Sequence, residues 1–393
     1  MSKLNAAYGQ LPPAFFFTRI IETVSTYAAA HPDQRLLKLG VGDVHGPLAP
    51  VVVEAMHRAV RDQGEAATFR GYVPETGARF MKTAVTVYYR GYGVALSPEE
   101  VFISSGAADD LGAVGNLFSR DARVLVTEPA YPAYVDTNRM AGREIVRLSG
   151  TRENGFLPLP TADLAADLVY LCSPNNPTGT AYARAQLQQW VDWANARQAV
   201  IVFDAAYEAF VQEEDVPHSI YELPGARDCA IEICSLSKTA GFTGTSLGYT
   251  VVPGALVREG LSLRDMWNQD RTTRTNGVSY ILQRGGAAAL SSEGMAQNRQ
   301  AIAVYQENGR ILRDALTRAG LWFTGGQNAP YIWLPCPRGL TGWAFFDYLL
   351  KEAQIVVTPG EGFGSGGEGF VRLSCFGSRG DTEEAARRLI QIL

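Results

Sequence analysis

The sequence predicts an α/β protein: a large, mostly parallel mixed sheet covered by helices on both faces, with a smaller α+β unit after it. Three observations predict this. Short apolar runs recur with helical segments between them: VFIS at 101–104, RVLVTEP at 123–129, LVYLC at 168–172, AVIVFD at 199–204, CAIEICS at 229–235 and SLGYTVVP at 246–253. Strands that are apolar throughout, with no polar alternation, are buried on both faces, as parallel sheets require. After about residue 285 the pattern changes to a long helical segment followed by short strand-like runs.

The elements follow in chain order. The first forty residues are expected to pack with the C-terminal unit, giving boundaries of 1–45, 46–285 for the large domain and 286–393 for the small one. PVVVEAMHRAVRDQG (50–64) has Val52, Met56 and Val60 at helical spacing and ends at Gly64, which reads as a C-cap. The apolar strands come next. The C-terminal unit then reads as a helix over 295–320, a strand at YIWLPC, a helix over 342–354, strands at IVVTPG and FVRLS, and a closing helix over 382–393. No internal repeat or low-complexity linker interrupts the chain.

Composition narrows the function classes. With 393 residues, 46% apolar and 19% charged, the chain can bury a large core. A net charge of −5 provides no footprint for nucleic acid or an anionic membrane. The five cysteines lack CxxC spacing and the four histidines lack metal spacing, so neither a disulfide framework nor a metal site is expected. The start of the chain has only a three-residue phenylalanine run, too short for a secretion signal, and the expected location is cytoplasmic.

In a parallel sheet the ligand site lies beyond the carboxyl ends of the strands. Tyr131, Asn176, Asp204, Tyr207, Ser235 and Lys238 all follow strand-like runs and should meet at one rim. Lys238 stands in SLSKTAGFTGTSLGY, where small neighbours would leave its amine desolvated and nucleophilic. A solvated surface lysine is the bland alternative. SLSK also fits the S-x-x-K of penicillin-binding enzymes, but no S-D-N or K-T-G accompanies it and the serine is expected to follow a strand without opening a helix.

Asp204 ends an apolar strand, where a carboxylate is costly unless a cation or donor meets it; alone it could be a helix cap. With a lysine one strand further on, a pyridoxal phosphate site is the more economical account: lysine to the aldehyde, aspartate to the pyridine nitrogen. In SPNNPTG, otherwise a simple turn, Asn176 offers a fixed amide donor to the phenolic oxygen, and Tyr207 a second. Tyr131 would lie over the ring, and Arg372 could clamp a carboxylate with two parallel bonds. GFGSGG at 362–367 satisfies G-x-G-x-x-G but has no βαβ unit around it, so a dinucleotide fingerprint is rejected.

NNPTG, FDAAYEAF and SLSKTAGFTG, in this order, resemble the fold type I aminotransferases, pyridoxal phosphate enzymes that act as homodimers with shared sites. LGVGD, GYVPETG, EPAYPAYVDT, TTRTNGVSYILQRG and GEGFVRLSCFGSR extend the likeness to the LL-diaminopimelate aminotransferase family over nearly the whole chain. The resemblance implies Lys238 as the lysine that tethers the cofactor, Asp204 on the pyridine nitrogen, Asn176 and Tyr207 on the phenolic oxygen, and Tyr131 over the ring. It places Ser235, Ser237 and the amides of Gly106, Ala107 and Ala108 on the phosphate, with Tyr72 from the other subunit. Arg372, Asn176, Gly42 and His45 would meet the substrate, and Glu75 and Asn276 would reach in from the neighbouring subunit.

Departures from the family pattern accompany the likeness. The usual phosphate-binding arginine is Ser246, the usual Gly-Ala-Lys is Gly106-Ala107-Ala108, His45 replaces a threonine and Thr275 an aromatic residue. The leading reading is transamination of an amino acid in specialised metabolism. The alternatives are elimination, replacement or carbon–carbon bond formation with the same cofactor, for example on S-adenosylmethionine, and a member that has lost the cofactor.

Overall fold

In a computed structural model, which describes residues 2–11, 16–40 and 42–393, the apolar runs become a seven-stranded sheet. Phe15 of the phenylalanine run and Val41 of LGVGD lie outside the described residues. In chain order the strands are β1 (Val101–Ser104), β2 (Val124–Glu128), β3 (Ile145–Ser149), β4 (Leu168–Cys172), β5 (Val200–Asp204), β6 (Ala230–Ser235) and β7 (Gly248–Val251). They lie in the order β1-β7-β6-β5-β4-β2-β3. Only β7 runs antiparallel, between β1 and β6.

Successive side chains of a strand point to opposite faces, and the sheet accordingly feeds two cores. Val169, Leu171, Ile201 and Phe203 enter one, with Trp190 and Tyr249. Leu168, Tyr170, Val200 and Val202 enter the other, with Trp267 and Phe376. Every residue of β4, β5 and β6 is buried. At roughly 1.5–3 kcal/mol for each fully buried large aliphatic or aromatic side chain, this double burial makes the central strands the rigid part of the scaffold.

A third core joins Ile20, Leu37 and Leu39 to Leu312, Phe345, Leu349 and Leu373 of the C-terminal part. There a four-stranded antiparallel sheet holds β8 (Thr324–Gly325), β9 (Tyr331–Pro335), β10 (Thr358–Pro359) and β11 (Phe370–Ser374), in the order β8-β9-β11-β10. Leu37 and Lys38 pair in parallel with Ile355 and Val356. The helix Ser292–Arg318 begins at an N-cap where the Ser291 hydroxyl accepts from the Gly294 amide. All five cysteines are free, four of them buried.

Four local expectations need correction. Gly64 is the last helical residue and Glu65 the cap, in extended conformation. Val60 is 53% exposed, because the helix Pro50–Gly64 meets the helix Tyr280–Ala289 along a narrower stripe than its apolar pattern implied. IVVTPG is split: Ile355–Val356 pairs with the N-terminal segment and Thr358–Pro359 with β11. Ser235, expected only to follow a strand, also caps a one-turn helix, Leu236–Thr239. GFGSGG falls in two short 3-10 turns with no βαβ unit around it.

Candidate active site

The carboxyl ends of β4, β5 and β6 open on a cavity of ≈ 430 Å³. Tyr131, Asn176, Asp204, Tyr207, Ser235 and Lys238 all line it, and so do Gly42, Ser237, Arg372 and Gly106 to Ala108. The fold thus gathers residues scattered over more than three hundred positions.

Lys238 sits on the one-turn helix Leu236–Thr239, whose first turn is secured by the Ser235 hydroxyl accepting from the Ser237 amide at 3.1 Å. Its Nζ donates to the Gly42 carbonyl. Burial holds its pKa down at about 8; Asp43 works against that shift and Arg372 adds to it. A desolvated amine of this kind carries a far larger neutral fraction near neutral pH than an ordinary lysine.

Asp204 ends β5 and is buried. Tyr134 Oη donates to Oδ2 at 2.5 Å and the Ala206 amide to Oδ1 at 3.0 Å. Desolvation pushes the carboxyl up from its ordinary range, while these two donors pull it down. A cation arriving beside Asp204 would relieve the burial penalty.

Across the cavity a chain of polar contacts links two units of the fold. Arg372, on β11 and 2% exposed, donates from Nη1 to Asn176 Oδ1 at 2.7 Å and from Nη2 to the Gly40 carbonyl at 2.9 Å. Asn176 Nδ2 donates to Tyr207 Oη at 3.3 Å, and Tyr207 Oη meets Tyr331 Oη at 3.1 Å. The guanidinium lies 4.3 Å from the centre of the Tyr331 ring, and among the described residues its Nε has no hydrogen-bond partner. Gly42 must be glycine here: a Cβ would stand 2.7 Å from Tyr331 Oη.

The end of the cavity near Gly106 is built differently. Gly106, at φ 129°, precedes the helix Ala107–Ala113, and a Cβ on it would come within 2.8 Å of Ser246 Oγ. Ser246 itself is left-handed, at φ 52°. Hydroxyls and backbone amides supply the donors there. Among the described residues lining the cavity, the cations are Lys238, which reaches the Gly42 carbonyl, and Arg372, which reaches Asn176 and Gly40.

Four sequence candidates are not brought into this cavity. Tyr72 (89% exposed), Glu75 and Asn276 stand on the surface. His45 lines an adjoining cavity of ≈ 650 Å³ that shares Lys238 as a wall, and its carbonyl accepts from Tyr305 Oη at 2.9 Å. Conversely, Tyr134, Tyr331 and Thr243 line the main cavity without having been singled out. Tyr134 had a signal: it is the second tyrosine of EPAYPAY, in the first turn of the helix Ala133–Met140 and three residues after Tyr131.

Residues 34–389 match the family model described as aminotransferase class I and II. The chain is 46% identical to the LL-diaminopimelate aminotransferase of Agathobacter rectalis and 45% identical to that of Bacteroides fragilis, over 99% of both chains in each case. The solved L,L-diaminopimelate aminotransferase from Chlamydomonas reinhardtii superposes with a TM-score of 0.94 at 38% identity, over 99% of this chain and 98% of that one. A part-buried amine, a buried acid and a buried arginine converge on a fold shared with these proteins from end to end, and the chain belongs to the class I and II aminotransferases.

Proposed function

We propose that the chain is a pyridoxal-phosphate-dependent aminotransferase of α-amino acids, with Lys238 as the amine that carries the cofactor and moves the proton. The observation that carries this reading is the convergence in one cavity of a desolvated lysine, a buried acid and an arginine with an unused Nε. The donor set fits the cofactor: Asp204 suits a protonated ring nitrogen, Asn176 and Tyr207 an anionic oxygen, and the Ser235–Ser237 and Gly106–Ala108 segments a phosphate. When bound, the cofactor supplies an aldehyde carbon for the amino group and a ring that accepts electrons released at Cα.

The chain's own residues do the rest. Arg372 fixes the substrate carboxylate through its guanidinium fork, which sets the orientation of the Cα–H bond. Lys238 Nζ takes that proton and returns it two bonds further on, at the carbon the aldehyde contributes, a task suited to an amine titrating at about 8. Asp204, kept from water, stabilises positive charge opposite it. Tyr131 covers one face of the space and excludes solvent. A second copy of the chain would complete the site with Tyr72, Glu75 and Asn276, a reading supported by the exposure of Tyr72 on its own subunit. Among the described residues no helix is long and apolar enough to cross a membrane, in keeping with a cytoplasmic location.

Adding amino donors, LL-diaminopimelate among them, to the cofactor-loaded protein without acceptor is expected to convert its absorbance to that of the amine form of the cofactor. A keto acid should appear in equal amount. Release of a side-chain fragment without keto acid would instead favour elimination or replacement. The neutral anion end yields a second expectation. Ser246→Arg should tighten cofactor binding about 10–150-fold, the value of one charge-assisted contact of about 1.5–3 kcal/mol. Fluorescence titration of the cofactor-free protein measures it, and unchanged affinity would mean that the position does not face the phosphate.

A further inference from the structure

We propose that Tyr134 is a positioning residue for Asp204, holding the acid in one orientation with its charge available to the ring nitrogen of the bound cofactor. The proposal rests on the reading of this cavity as a pyridoxal phosphate site. It starts from the satisfaction of Asp204. A carboxylate at this depth, with the Ala206 amide as its remaining donor, would be poorly compensated and free to turn about χ2. The Tyr134 hydroxyl at 2.5 Å supplies a second donor, on the other oxygen, and so fixes the plane of the carboxylate.

Tyr134 is itself held from three sides. It is 2% exposed, its ring stacks on Tyr170 with centroids 5.2 Å apart and planes 20° from parallel, and Tyr131 meets it edge-on at 5.7 Å and 77°. Its carbonyl accepts from Asn138 Nδ2 at 2.8 Å, and Arg143 Nη1 donates to Asn138 Oδ1 at 3.0 Å. A phenylalanine would satisfy every ring contact. The hydroxyl is the part that addresses Asp204, and charge-assisted bonds of this kind are the strong ones. The same ring also meets Tyr131 edge-on, so one side chain touches both the acid that would pair with the ring nitrogen and the tyrosine that would cover the ring.

The test uses the cofactor-free full chain and its Tyr134→Phe variant, titrated by fluorescence with pyridoxal phosphate and with its 1-deaza analogue, in which a C–H replaces the ring nitrogen. The variant should bind pyridoxal phosphate about 10- to 100-fold more weakly, the range expected for one charge-assisted hydrogen bond, and the deaza analogue within roughly threefold of wild type. In an Asp204→Asn background the Tyr134→Phe change should cost nothing further, since the pair acts through one contact. Retained binding of the deaza analogue also reports that the variant is folded. Equal losses for both ligands, or no loss for either, overturn the proposal. If wild type binds neither ligand, the reading of the site itself falls.

Discussion

Replacing Lys238 with alanine is expected to leave a folded protein that no longer retains pyridoxal phosphate after borohydride reduction, with turnover lowered by at least about 10²–10⁴-fold, the share that a positioned acid–base group contributes. The fold should survive because the side chain belongs to the cavity wall and none of the three cores includes it. Among the described residues, its side-chain hydrogen bond is to a backbone carbonyl. The wild-type amine also sets a pH signature. Only the neutral form attacks an aldehyde, so capture of the cofactor by the empty protein should climb about tenfold per pH unit below its pKa and level off above about 8. An ordinary lysine would keep climbing toward 10.5. Stopped-flow absorbance across this range checks the point, and a rate still rising at about pH 10 would contradict the desolvated amine.

Arg372→Ala should lower kcat/KM for amino acid substrates by about 2–5 kcal/mol, roughly 30–5,000-fold, because a buried guanidinium and the carboxylate it would hold lose each other in a dry site. The informative control is the decarboxylated amine of the same side chain. Wild type should discriminate strongly against it, and the variant should hardly discriminate at all. Arg372→Lys keeps the charge but not the fork, and should recover only part of the loss. The alanine variant also leaves Asn176 Oδ1 without its donor, at about 1–3 kcal/mol, while the Gly40 carbonyl keeps the Thr358 hydroxyl at 2.6 Å, so its denaturation midpoint should fall as well. An unchanged preference for the amino acid over the amine would remove Arg372 from the carboxylate.

The central strands were legible because burial on both faces leaves a plain mark: VIVFD and AIEICS read as continuous apolar runs bounded by polar residues. The edge strand β3 was not, since IVRLS alternates half-buried and exposed positions and resembles any amphipathic stretch. The two-residue strands left no period to detect. Asp204 and Lys238 stood out because a charge at the end of an apolar strand is costly and calls for a reason. Tyr134 and Tyr331 passed unnoticed because a buried tyrosine looks like packing until its hydroxyl finds a partner, and those partners lie 70 and 124 positions away. The surface positions Tyr72, Glu75 and Asn276 carry no signal within a single chain, since what would engage them lies outside it.

The amine rises from the seven-stranded sheet, whereas the guanidinium projects from the four-stranded one. On the proposed reading, the two grips on an incoming amino acid therefore hang from different sheets, which share one core where Tyr331 and Phe376 pack beneath the larger sheet. Damage confined to the four-stranded sheet would then erase selectivity for acids over plain amines while aldehyde capture persisted. A stressed sample could thus keep its yellow colour after it had ceased to tell its substrates apart.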